Sequence, residues 1–368
     1  MNNSEFDRKY IWHPFTQEGS APLNITLTKA DGIYVYDENN NKYMDLVSSW
    51  WTVAHGHCNK RIADAIAEQA HKFDHIIFAG FTHEPAIKLV EKLRKFMNND
   101  FDKFFFSDNG STAIEIALKM TYQYWKNKGD NNRKIFLTMK GNYHGDTFGA
   151  MSVGKTSDFY KPFEDLFFKV EYLPTPATWI DDKNVEEKEN EALEYTKKFL
   201  DENASSVASF LLESILQGAS GMNMVRPIFV EKLCKLIKSY NIPVIFDEVM
   251  TGFYRTGTKF AYEQTNFVPD IICLSKALTG GFLPMAITAT TQEIYDVFYS
   301  EDIEKSFLHG HSYTANPLTC IAALTSIELF EENNVFEKVE KITEIHKEEI
   351  IKLVRKYPFI EKPRVCGL

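Results

Sequence analysis

Residues 269–281 read PDIICLSKALTGG, a short apolar run with a lysine directly behind it and a glycine pair after that. The stretch 271–274 has the pattern of a strand buried on both faces, as in a parallel sheet. Lys276 then stands at the carboxyl end of that strand, the edge where open α/β sheets bind ligands. A lysine beside a strand end ordinarily snorkels to solvent. Here Gly280 and Gly281 make a turn expected to admit a ligand closely, and a lysine so placed can lose its proton and attack a carbonyl. A second apolar run, IPVIFD at 242–247, brings Asp247 to the same edge. Alone, Asp247 reads equally well as a helix cap or turn residue. Beside Lys276 it reads as a carboxylate able to pair with a protonated pyridine nitrogen.

Working outward, strand-like runs at 103–106, 135–138 and 206–212 alternate with helical patterns at 111–125 and 229–240. That alternation predicts an α/β fold with a mostly parallel sheet flanked by helices. Residues 32–45 (GIYVYDENNNKYMD) read as a hairpin turning at 39–41, residues 181–191 as a loop entering a helix, and the tail from Asn316 as helical until Tyr357.

Three further segments fall at strand ends. SDNGS at 107–111 joins a strand to a helix start, so the N–H groups of Gly110 and Ser111 are placed to bind a phosphate, although plain helix capping also explains the turn. GNYHGD at 141–146 offers Tyr143 as a ring to stack on a flat heterocycle. It also offers His144, read either as an acid or base or as a hydrogen-bonded structural histidine. HGHSYTAN at 309–316 places His309, His311 and Ser312 before a helix start at Asn316-Pro317. No third ligand is near the two histidines, so a turn before a capped helix fits better than a metal site.

Bulk properties exclude several classes. With 44% hydrophobic residues the 368-residue chain has material for a full core. A formal net charge of −10 argues against nucleic acid or an anionic membrane as the main partner. Five scattered cysteines without a CxxC pair read as reduced thiols. No apolar run reaches a membrane span and the start lacks a signal-peptide pattern, so a cytoplasmic location is expected. No GxGxxG follows a first strand, which disfavours a nicotinamide dehydrogenase.

Taken together, IFDEVMTGFYRTG at 245–257 and PDIICLSKALTGG at 269–281 resemble the class III, fold-type I aminotransferases that depend on pyridoxal 5'-phosphate (PLP). The resemblance covers essentially the whole chain. It implies a large PLP-binding domain at 56–325, with a small α+β domain made from both chain ends, 1–55 and 326–368, the latter reading as truncated. It implies that Lys276 bonds the cofactor as a Schiff base and that Asp247 meets its ring nitrogen. Tyr143 and Val249 would cover the two ring faces, and Gly110 and Ser111 would bind the phosphate. His311 and Ser312 stand where many members carry Pro-Thr. They are implied at the phosphate of a neighbouring subunit, Ser312 through its hydroxyl, so that a homodimer shares its active sites.

Within the class, WHPFTQ at 12–17, SSWWTVAHG at 48–56, GNYHGDTFGAMSVG at 141–154 and ESILQGASGM at 213–222 resemble the branch that aminates a long aliphatic keto acid in biotin biosynthesis. That resemblance implies Trp50, Tyr143 and Gly310 at the substrate. S-adenosylmethionine is the implied donor, with lysine the donor in some relatives. Phe15 replaces a tyrosine of the best-known members, and the family's carboxylate-binding arginine is expected beyond residue 368. The alternatives are a class III enzyme acting on ornithine, 4-aminobutyrate or another ω-amine, a class III-like isomerase or racemase, and a PLP-binding protein without turnover. Core packing is the plain reading of Trp50-Trp51.

Overall fold

A computed structural model describes residues 2–154, 158–332 and 334–368. Its centre is a seven-stranded sheet. In chain order its strands are β4 (Lys103–Ser107), β5 (Ile135–Met139), β6 (Val170–Leu173), β7 (Val207–Glu213), β10 (Val244–Asp247), β11 (Ile271–Leu274) and β12 (Ala286–Thr290), while β8 (Leu216–Gln217) and β9 (Asn223–Met224) form a separate two-stranded sheet. They lie in the order β4-β12-β11-β10-β7-β5-β6. All pairings among β6, β5, β7, β10 and β11 are parallel. β12 alone runs the other way, antiparallel to both β11 and β4. The cause lies in the connection between β11 and β12, which holds only the short 3-10 turn Lys276–Thr279. Without a crossover helix the chain cannot return parallel.

Every residue of β5, β7, β10, β11 and β12 is buried. This is why these strands read as unbroken apolar runs, and each large side chain such as Phe210 or Phe246 contributes roughly 1.5–3 kcal/mol of burial. Helix Gly110–Asn127 lies on this sheet with Ala113, Ile114, Ala117 and Thr121 buried. It begins at Asn109, whose side chain accepts from Thr112 N at 3.1 Å while Thr112 Oγ1 accepts from Asn109 N at 3.1 Å. Replacing that cap with alanine is expected to cost about 1 kcal/mol. On the other side, helix Pro317–Glu332 packs between Lys60–Lys72 and Glu84–Phe96. Its start is capped by Asn316 Oδ1, which accepts from Leu318 N at 2.9 Å.

Two expectations are met and extended. The predicted hairpin is present as β2 (Tyr34–Asp37) paired antiparallel with β3 (Lys42–Met44), and β1 (Leu27–Asp31) pairs antiparallel with β2 to make a three-stranded sheet. β1 escaped notice because its residues LTKAD are mostly exposed and carry no apolar alternation. The tail is two helices, Pro317–Glu332 and Val335–Lys356. Asn334 breaks the run by taking φ 50°, a left-handed conformation that asparagine tolerates. No helix among the described residues is long and apolar enough to cross a membrane.

Candidate active site

Five parallel strands deliver their carboxyl ends to one edge of the sheet. Beyond those ends lie Asp108–Ser111 after β4, residues 143–146 after β5, Glu213 at the end of β7, Asp247 and Val249 at β10, and Lys276 after β11. All of them line one cavity of about 750 Å³. Residues as far apart in sequence as Asp108 and Lys276 thus meet because the sheet aligns them, as strand-end geometry demands.

Lys276 leaves β11 in a left-handed conformation, φ 49°. Among the described residues its Nζ has no hydrogen-bond partner; the Trp51 ring lies 5.1 Å away. Burial holds the ammonium below its ordinary pKa, and the nearby Asp247 carboxylate only partly opposes this. Such an amine has the reactivity of a nucleophile. The glycines after it also serve packing. A side chain on Gly281 would press on Val53 Cα at 3.0 Å, and one on Gly280 would meet Ile62 Cδ1 at 2.9 Å. They let another part of the protein approach the lysine turn, and Gly281 still borders the cavity.

Asp247 is 5% exposed, and both its oxygens are engaged. Oδ1 accepts from Val249 N at 2.9 Å and Oδ2 pairs with His144 Nδ1 at 2.7 Å. A carboxylate can only accept, so His144 carries its proton on Nδ1. Its buried Nε2 has no partner among the described residues. His144 is thus hydrogen-bonded to Asp247 and orients it, as its structural reading expects.

The loop at 143–146 closes over the start of helix Gly110–Asn127. Asp146 N donates to Ser111 Oγ at 3.3 Å, and a side chain at Gly145 (φ 121°) would fall 2.0 Å from that hydroxyl oxygen. Only glycine fits there. Tyr143 is held by its backbone N–H, which donates to Glu213 Oε1 at 2.8 Å, and by its hydroxyl, which donates to Asp146 Oδ2 at 2.8 Å. Gly110 sits directly against Val249: a Cβ there would be 2.7 Å from Val249 Cγ1. Gly110 and Ser111 are in the first helical turn, where N–H groups have no intrahelical acceptor and an anion is favoured.

Aromatic residues form the opposite wall. Phe15, Trp50, Trp51, Phe159 and Tyr160 border the cavity, with Phe15 edge-on to Trp50 at 5.7 Å between ring centroids. Trp50 is 55% exposed, so the core-packing reading fails for it. Ser48, Ser49, Trp50 and Trp51 all have φ between 47° and 63°. Each left-handed residue of this kind costs roughly 1–2 kcal/mol. Gly310, His311 and Ser312 do not border the cavity of their own chain, and Gly310 and Ser312 are exposed. His311 Nδ1 comes within 3.5 Å of Asp108 Oδ2 beside the 107–111 turn.

The family model for class III aminotransferases matches residues 15–368. The chain belongs to the class III aminotransferases. It is 46% identical to the adenosylmethionine-8-amino-7-oxononanoate aminotransferase of Synechococcus elongatus, over 97% of this chain and 83% of that protein. Identity to the Helicobacter pylori protein of the same name is 41%, over 92% and 76%. The crystal structure of the Methanocaldococcus jannaschii protein of that name superimposes with a TM-score of 0.88 at 38% identity, covering 95% of this chain and 79% of that one. An amine transaminase from an uncultivated Pseudomonas species, solved in its PLP-bound internal aldimine form, gives a TM-score of 0.91 at 27% identity, covering 98% and 83%.

Two residues of this class III aminotransferase went unnoticed in the sequence. Glu213 is buried at the end of β7, bordering the cavity, where it accepts from Tyr143 N and from Gly218 N at 2.9 Å. Burial and the neighbouring Asp247 push its carboxyl up to about 8. An acidic residue ending the apolar run VASFLLE was the available signal, the same one that singled out Asp247. Arg255 borders a second cavity of about 810 Å³ that shares Trp51 and Met250 with the first. Its guanidinium donates to Val53 O at 3.3 Å, and no carboxylate pairs with it among the described residues. Burial lowers its pKa. Nothing in the local string FYRTG distinguishes it from a surface arginine.

Proposed function

We propose that this chain transfers an amino group from S-adenosylmethionine to 8-amino-7-oxononanoate, giving 7,8-diaminononanoate in biotin biosynthesis, with pyridoxal 5'-phosphate as cofactor. The observation that carries the reading is a nucleophilic lysine beside an oriented buried carboxylate, in a cavity whose far wall is aromatic. The names of the relatives agree with it.

The residues present fit the cofactor by the chemistry of their donor groups. Gly110 and Ser111 N–H groups and the Ser111 hydroxyl suit the phosphate, Tyr143 and Val249 the two ring faces, Asp247 the ring nitrogen and Lys276 the carbonyl carbon. Bound there, pyridoxal phosphate supplies an electron sink for the carbon that loses its proton. Lys276, whose charged form burial disfavours, would hold the group through its Nζ and could also carry a proton to and from the donor carbon. Asp247, fixed by His144, would pair with the ring nitrogen and favour its protonated form. The aromatic wall excludes water and packs the aliphatic acceptor, and its rings also attract a sulfonium cation, worth roughly 0.5–2 kcal/mol. Trp50 and Tyr143 contact substrate.

We further read the protein as a cytoplasmic homodimer. Gly310, His311 and Ser312 lie outside their own cavity, on a surface that also exposes Leu308 (74%) and Tyr313 (65%). In this reading they serve the phosphate of the partner subunit. The small domain is assigned to 1–55 and 326–368 and the large one to 56–325.

Steady-state assays with 8-amino-7-oxononanoate as acceptor test the function, with S-adenosylmethionine and lysine compared as donors. Turnover with S-adenosylmethionine is expected. Activity confined to ornithine or 4-aminobutyrate would overturn the substrate assignment. A strictly monomeric species with full activity, seen by light scattering, would overturn the shared site.

A further inference from the structure

The segment Ser48–Trp51 is a left-handed helical turn made without glycine. Its φ values are 48°, 47°, 60° and 63°, and Ser49 and Trp50 have ψ of 57° and 49°. Four such L-residues in succession do not form on their own, because each places its Cβ against the backbone. Something must hold them, and strain kept in this way points to a function.

The holding group is Asp45. Its Oδ1 accepts from Ser49 N at 3.0 Å, and its Oδ2 accepts from Ser49 Oγ at 2.7 Å and pairs with His57 Nε2 at 2.9 Å. Both residues are anchored in turn. Asp45 N donates to Ile33 O at 2.9 Å, and His57 exchanges backbone hydrogen bonds with Gly32 at 2.7 and 3.3 Å. What the turn presents is the cavity wall: Trp50 against Phe15, and Trp51 near Lys276 Nζ. Immediately after it, Thr52 and Val53 rest on Gly281, where a Cβ would lie 3.0 Å from Val53 Cα. The turn is thus wedged between Asp45 and the lysine's own turn.

We propose that Asp45, oriented by His57, is a positioning residue for substrate, pinning this turn so that Trp50 and Trp51 form the wall of the cavity. The proposal rests on that cavity being the site of amino transfer. Asp45→Ala is expected to retain the absorbance of the Lys276-bound cofactor and to raise the KM for the amino acceptor about tenfold, with kcat within about twofold. Glycine occupies left-handed φ without steric cost. Adding Ser49→Gly to Asp45→Ala should therefore return KM to within about threefold of the unaltered enzyme, a rescue that a general loss of stability does not give. An unchanged KM in Asp45→Ala, or one that Ser49→Gly does not lower, overturns the proposal. Should Asp45→Ala fail to fold, Asp45→Asn decides. Its single acceptor oxygen cannot serve Ser49 N as well as Ser49 Oγ and His57, so KM should rise about threefold, and an unchanged KM again overturns the idea. If the unaltered enzyme showed no cofactor absorbance or no amino transfer, the underlying reading would fall and this proposal with it.

Discussion

One wall of the cavity, at Gly110, Tyr143, Asp247 and Lys276, stands on the ends of buried parallel strands and the helix and loop that follow them. The facing wall, at Phe15, Trp50 and Trp51, stands on backbone that is left-handed at all three residues. In the first wall position is a by-product of sheet burial, so each reactive group inherits the rigidity of the core. In the second, position is maintained against local preference by side-chain hydrogen bonds such as those of Asp45. Chemistry common to a class needs the first kind of wall. A choice among substrates can be made on the second, where one altered bond shifts an aromatic ring without disturbing the sheet.

The comparison predicts that changes in the strand-end wall act on rate, and the largest effect is expected at Lys276. Lys276→Ala should lower kcat by about 10³-fold or more, since it removes both the covalent anchor and the proton carrier. Borohydride reduction followed by mass spectrometry should no longer fix the cofactor to the chain. Next comes Asp247→Asn, expected to lower kcat roughly 10²-fold by removing a buried charge directed at the ring. His144→Ala should cost less, because His144 acts through Asp247 alone. Equal losses in the two variants would show that His144 takes part in the chemistry itself.

The same contrast governs what the sequence revealed. Lys276, Asp247, Gly110 and Tyr143 were legible because each follows a short apolar run, and period and burial are local signals. The antiparallel β12 was not, since AITAT is short and its direction depends on the connection from β11. The left-handed turn at Ser48–Trp51 was invisible, because SSWW contains no glycine or asparagine to announce positive φ. The packing role of Gly280 and Gly281 was hidden for the same reason: their neighbours Val53 and Ile62 come from more than 200 residues away in sequence, and no local pattern records that contact.

On the substrate side, Arg255 sharpens the comparison. A half-buried guanidinium with no carboxylate partner among the described residues favours an anion brought by a ligand. Arg255→Ala should raise the KM for a carboxylate-bearing substrate by about tenfold or more, with a smaller change in kcat. A fall in kcat at constant KM would instead assign Arg255 to the rate-determining wall.

The smallest effect on turnover, within about threefold at neutral pH, is expected for Glu213→Gln, because an amide oxygen still accepts one of the two backbone N–H groups. Its effect on stability should depend on pH, and the sign follows from the raised carboxyl. In the native state Glu213 titrates at about 8, against 4.5 for an unperturbed glutamate, chiefly through burial and then through Asp247. Between those values the folded cofactor-free protein holds a proton that the unfolded chain has released. The contribution of Glu213 to stability is thus fully present below about 4.5 and is lost as pH rises through 8. Glutamine cannot ionise and carries no such slope. Thermal unfolding of the two cofactor-free proteins should therefore show Glu213→Gln gaining on the unaltered chain from pH 5 to pH 8, as rough bounds set by the linkage. A constant difference across that range would mean that Glu213 is ionised in the folded protein and that its bonds to Tyr143 and Gly218 outweigh its burial.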